Sequence, residues 1–171
     1  LTLMAAISGL KSDLYERIII TRSIQPVGKD IGFLPGDMNE KMDPWLSPIA
    51  DNFRAAFKDV TYYEIMREKG QIEVAPLSFI RGRTFNNAFI IVDESQNSTI
   101  HELKTIVTRV GEGSKIVLLG DIEQIDTPYI DTLSNGLTVV VEKFKNSKIS
   151  GHVTLLKGER SKLATEASRL I

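Results

Sequence analysis

Alternating blocks of apolar and polar residues run the length of the chain, and their periods separate strands from helices. Leu1 to Leu10 is apolar and closes on Gly9-Leu10 before polar Lys11-Ser12-Asp13, the pattern of a buried helix that ends in a loop. Arg17 to Arg22 is a short β-branched run bounded by charge and reads as a sheet strand. Ser23 to Pro44 carries Pro26, Gly28, Gly32, Pro35 and Gly36, and a turn-rich segment of that length is expected to be a binding loop. Ser47 before Pro48 and the stripe Ile49, Phe53, Phe57 predict a helix, and the Thr61/Glu64 capping box with Gly70 predicts a second. Ile72 to Leu77 reads as a strand that Pro76 keeps near a sheet edge, and Ala88 to Val92 as a fully buried strand. A Thr99/Glu102 capping box precedes Leu103, Ile106, Val107 and Val110 at helical spacing, and Lys115 to Leu119 is a further apolar strand. Leu137, Val140, Val141 and Phe144 favour a helix, with a strand left open by the triple valine. His152 to Leu156 reads as a last strand, and Ser161 to Ile171 as a closing helix with Leu163, Ala164, Ala167 and Leu170 inward. Strands separated by helices imply a mostly parallel sheet covered on both faces, a three-layer α/β/α sandwich formed as one domain over residues 1–171.

Composition narrows the classes. With 171 residues, 42% hydrophobic and 25% charged, the chain is long enough for a sizeable core of ordinary globular type. The formal charge of −1 gives no overall field for nucleic acid or anionic lipid, so any such binding must rest on a local patch. No cysteine and two histidines exclude a disulfide framework and a structural zinc site. No apolar run approaches bilayer length and Leu1 to Leu10 lacks the marks of a leader, so a cytoplasmic protein with no membrane partner is the expectation.

The chemistry is expected at the strand ends. Phe89-Ile90-Ile91-Val92 runs into Asp93-Glu94, an arrangement that delivers two carboxylates to one edge of a sheet. This has the form of a Walker B element of a P-loop nucleoside triphosphatase, in which Asp93 holds Mg²⁺ through its water shell and Glu94 polarises the attacking water. An acidic strand end is also ordinary in α/β proteins, so this motif alone leaves both readings open. A second strand runs into Gly120-Asp121-Ile122-Glu123-Gln124, and in a parallel sheet both carboxyl ends lie along one crevice. Gln124 is suited to sensing a phosphate, since an amide donates and accepts without titrating. Arg22, Arg81, Arg83 and Arg160 stand next to strands, where a guanidinium fork could meet a phosphoryl group.

In combination, Gly32-Phe33-Leu34-Pro35-Gly36, Lys41-Met42-Asp43-Pro44, Arg81-Gly82-Arg83-Thr84-Phe85, Ile91-Val92-Asp93-Glu94-Ser95-Gln96-Asn97 and Gly120-Asp121-Ile122-Glu123-Gln124-Ile125-Asp126 resemble the PhoH-like family of ATPases, whose core is similar to superfamily 1 helicases. The resemblance covers essentially the whole chain. Gly151 to Leu155 with Gly158-Glu159-Arg160-Ser161 resembles the branch in which this core follows a PIN nuclease domain, which is not among these residues. It implies a P-loop fold, hydrolysis of ATP with Mg²⁺, a link to single-stranded RNA binding, unwinding or turnover and to phosphate starvation, and homo-oligomers such as a hexameric ring. By motif it implies Asp93 as the magnesium-side acid, Glu94 as the base, Gln124 as the γ-phosphate sensor and Arg160 as an arginine finger, with Asp121, Arg22 and Arg83 toward the nucleotide. Ser95 stands where many relatives have alanine. The family's phosphate loop, G-x-x-x-x-G-K-[ST], is absent from these residues and is expected directly ahead of the Leu1 helix, together with the strand that leads into it.

Two other readings stand beside the ATPase. A metal-dependent nuclease or phosphohydrolase would use Asp93, Glu94, Asp121 and Asp126 as direct ligands to one or two cations. A hydrolysis-deficient interaction module would suit a segment without the phosphate loop.

Overall fold

The computed structural model describes residues 1–22, 51, 52, 55, 61–80, 82–127, 130–156 and 161–170. The turn-rich segment Ser23–Pro44, the Ser47 cap and the stripe Ile49, Phe53, Phe57 lie outside the described residues. The chain divides into two units, Leu1–Val140 and Val141–Ile171.

The first unit is built on a four-stranded, all-parallel sheet. Helix α1 (Thr2–Lys11) leads into β1 (Arg17–Arg22); α2 (Thr61–Glu68) leads into β2 (Ile72–Pro76); β3 (Ala88–Asp93), α3 (Ile100–Val107) and β4 (Lys115–Leu118) follow, and then α4 (Gly136–Phe144). The order across the sheet is β2-β1-β3-β4. Ile18, Ile20, Phe89 and Ile91 share one face and pack with Ala6, Ile7 and Leu10 of α1, Tyr63 and Met66 of α2, Tyr15 and Ile72. The alternate positions Ile19, Ile90 and Val92 point to the opposite face and are as deeply buried. Leu77, Ile80, Phe85, Leu103, Ile106 and Leu137 are buried as well and lie outside the first cluster. Burial on both faces is why β1 and β3 carry unbroken apolar runs, each such side chain contributing about 1.5–3 kcal/mol.

Local signals place the ends of several elements. Thr99 accepts the Glu102 N–H at 3.2 Å while the Glu102 carboxylate accepts the Thr99 N–H at 2.8 Å, a complete capping box at the start of α3. Gly70, at φ +68°, closes the turn after α2. Pro76 ends β2, an edge strand, where its missing N–H costs no ladder bond.

The second unit departs from the expectations. Residues 152–156 form no strand, and among the described residues His152 Nε2 lies 3.0 Å from Thr154 Oγ1. Alternation in sequence makes a strand only where a neighbour pairs its N–H and C=O groups. Helix α5 (Lys162–Leu170) forms as expected, yet Leu163 and Leu170 are exposed and not inward. Among the described residues no helix is long and apolar enough to cross a membrane.

Candidate functional site

The pleat decides what reaches the carboxyl edge of the sheet. Arg22 is in register with Asp93, and both continue the face that carries Ile18, Ile20, Phe89 and Ile91. Two apolar rows therefore end in a cation beside an anion. Only Ser12 to Glu16 separate α1 from β1, so α1 ends at the start of the strands and runs antiparallel to them. Its N-terminal end, the positive end of its dipole, is directed toward the edge where Arg22 and Asp93 sit.

Glu94 is held by its backbone and by two neighbours. It adopts φ 51°, ψ 41°, a left-handed conformation that costs a residue of its type about 1–2 kcal/mol. One carboxylate oxygen accepts from Arg22 Nη2 at 3.1 Å, and the other accepts from Gln96 Nε2 at 2.6 Å. Strain of this kind persists where surrounding contacts over-determine it. Asp93 binds its proton more tightly than an ordinary aspartate: burial is the main cause, the Glu94 charge adds to it, and Arg22 and the Glu94 N–H oppose it. A cation at Asp93 would reverse that balance.

The end of β4 meets this edge through polar contacts. The β3–β4 pairing continues past the strands, with Leu119 N–H donating to Val92 O at 2.8 Å and Ser95 N–H to Leu119 O at 2.8 Å. The chain then passes Gly120, where a Cβ would lie 2.6 Å from Gln96 Oε1 and 2.7 Å from Leu137 Cδ2, so the approach admits only glycine without a shift. Beyond it, Asp121 N–H donates to Gln96 Oε1 at 3.2 Å, and Gln96 Nε2 donates to the Gln124 carbonyl at 3.0 Å. The Gln124 side chain donates to Asp121 at 2.7 Å, and Asp121 also accepts the Glu123 N–H at 3.0 Å. Farther along, Asn97 Oδ1 accepts from Asp126 N–H at 2.8 Å and Thr127 Oγ at 3.2 Å.

The structure thus brings Arg22, Asp93 and Glu94 to one edge and ties the Asp121–Gln124 turn to it. It does not bring Arg83 there. Arg83 grips Glu73 through two contacts, one of them Nη2 to Oε2 at 2.8 Å, and lies 4.9 Å over the Phe85 ring. Glu73 pairs with Ile19, three positions short of the Arg22–Pro76 pair, so it lies about 10 Å below the edge at the usual strand rise. Arg81 and Arg160 lie outside the described residues. Asp126 takes part through its main chain, and among the described residues no three Asp, Glu or His side chains gather as a metal-ligand set. His101 is exposed on α3, and Tyr63 is a core residue.

Sequence reasoning passed over Gln96 and Asn97, which with Ser95 form a single buried turn between β3 and α3. Three polar residues after an apolar strand look like a solvated loop. The one signal was their position between an acidic pair and a capping box, which leaves too little chain to reach solvent.

The family described as PhoH-like protein matches residues 1–170. The chain is 52% identical over 177 residues to Protein PhoH2 of Bacillus subtilis (strain 168), covering 99% of this chain and 40% of that protein. It is 42% identical over 148 residues to a PhoH-like protein of the same organism, covering 85% of this chain and 44% of that one. Protein PhoH2 of Thermobispora bispora is 35% identical over 173 residues, covering 98% of this chain and 39% of that protein. The chain therefore spans about two fifths of the length of these curated relatives.

Proposed function

This chain belongs to the PhoH-like family, and from that membership and the carboxyl edge of its sheet we propose that it is the hydrolytic half of an Mg²⁺-dependent ATPase site. Family membership gives the coarse function, a nucleotide-binding domain of P-loop type. The observation that carries the finer reading is Glu94, a carboxylate next to Asp93, held in a strained turn and gripped on both oxygens by Arg22 and Gln96. A general base needs its carboxylate fixed before substrate arrives, and the strain is the cost of that fixing.

In this reading Asp93 faces the ion. Its half-buried carboxyl, under pressure to neutralise, fits a single hydrated cation better than a cage of direct ligands. Bound Mg²⁺ would draw charge from the β- and γ-phosphates. Glu94 orients and deprotonates the attacking water, Arg22 holds Glu94 while offsetting the charge of both acids, and the Asp121–Gln124 turn lies where it can read the γ-phosphate. The positive end of α1 would favour phosphates bound at this edge. Arg160 is proposed as the finger that meets the developing charge, acting in its own subunit or a neighbour's within a ring. The site would couple to single-stranded RNA through loops at the sheet edge that respond to the γ-phosphate. The direct-ligand phosphohydrolase has no gathered donor set among the described residues to favour it.

Glu94→Gln in the whole protein tests the assignment. ATP hydrolysis should fall on the order of a hundredfold or more while ATP still binds. Turnover equal to that of the parent protein would defeat it.

A further inference from the structure

We infer that Gln96 is a positioning residue that acts through Glu94, a buried carboxamide clamp that joins the Glu94 carboxylate to the Gly120–Gln124 turn. Gln96 has no exposed surface, and its three side-chain hydrogen bonds among the described residues all go to these two segments. Its NH₂ group donates to Glu94 Oε2 at 2.6 Å and to the Gln124 carbonyl at 3.0 Å, and its oxygen accepts the Asp121 N–H at 3.2 Å. Chemistry settles the amide's orientation. Turned over, it would set its oxygen against a carboxylate and a carbonyl and its NH₂ against an N–H. Gly120 permits the approach, since a Cβ there would strike the amide oxygen.

The consequence is mechanical. Glu94 sits on the turn after β3 and Gln124 on the turn after β4, and each has a polar partner on the same amide. A shift of the Asp121–Gln124 turn toward or away from a phosphate moves the atom that holds Glu94 Oε2. Gln96 thereby makes the orientation of Glu94 depend on the state of the neighbouring turn, a role assigned to neither Gln124 nor Arg22.

The kinetic arm of the test rests on the ATPase reading. In the whole protein, Gln96→Met removes the clamp at similar volume, and Gln96→Glu replaces a donor to Glu94 with an acceptor. Each should lower kcat on the order of tenfold, with the Kd for ATP changed less than about threefold. The decisive measurement is a double-mutant cycle: in the Glu94→Gln background, Gln96→Met should cost less than about twofold more. Losses that multiply across the two sites, or Gln96 variants that turn over like the parent, would overturn the clamp while leaving the ATPase reading intact. A second arm needs neither turnover nor a Gln96 variant. In protein carrying ¹⁵N-labelled glutamine, the Gln96 side-chain NH₂ resonances should exchange slowly with water and shift on Glu94→Gln. An NH₂ group that exchanges like a free amide and ignores Glu94→Gln refutes the clamp. A parent protein that shows no hydrolysis refutes the ATPase reading, and the clamp is then judged on the amide alone.

Discussion

Two arginine–carboxylate pairs sit on the same sheet with nearly the same exposure, and they do opposite things. Side chains are 39% and 33% exposed in Arg22–Glu94, and 40% and 31% in Arg83–Glu73, so solvent does not distinguish them. Geometry does. Arg83 meets both oxygens of Glu73, its guanidinium also covers Phe85, and the pair shifts as a saturated pair should, with Glu73 held below the ordinary carboxylate range, mainly by its hydrogen bonds from Arg83, and Arg83 raised. Arg22 meets one oxygen of Glu94, the other belongs to Gln96, and the carboxylate hangs from a left-handed backbone. The first pair has satisfied itself and ties residues ahead of β3 to β2. The second is divided among partners at the sheet edge, where a ligand can enter the competition.

The sharpest way to break this comparison is to substitute each arginine by glutamine in the whole protein and read turnover beside stability. Arg22→Gln should lower ATP turnover on the order of tenfold, since it loosens Glu94 and removes the charge that offsets two acids, with a denaturation midpoint close to that of the parent. Arg83→Gln should do the reverse, costing about 1 kcal/mol of stability in urea denaturation with turnover unchanged. Equal kinetic losses in the two variants would erase the distinction.

Acid titration separates the pairs further, because the signs differ. Glu73 has a lowered pKa when folded, so its contribution is fully present above the ordinary glutamate value and is lost as pH falls through the lower, folded one. Stability against acid should therefore drop less steeply in Glu73→Gln than in the parent. Asp93 has a raised pKa when folded, so its charged form works against the fold at neutral pH and that cost is relieved on acidification. Asp93→Asn should then raise the thermal midpoint slightly at neutral pH, in nucleotide-free protein, while abolishing Mg²⁺-dependent turnover. A lower midpoint would show that Asp93 supports the fold.

The strands and the capping box were legible in sequence because they are written in neighbouring residues. A strand buried on both faces must be apolar without interruption, so Arg17–Arg22 and Ala88–Val92 announced themselves, and Thr99 and Glu102 cap α3 across one turn of chain. That parallel strands place Asp93 and Asp121 at one sheet edge followed from the same pattern. Tertiary structure alone decided the partners. Glu73 took Arg83 away from the edge, residues 152–156 formed no strand, and Gln96, two positions beyond the predicted base, became the link between two turns. Periodicity records which side of an element is dry. It carries no information about which distant polar group a buried side chain will meet, since that choice is made by long-range packing and by the need to satisfy every polar atom the packing buries.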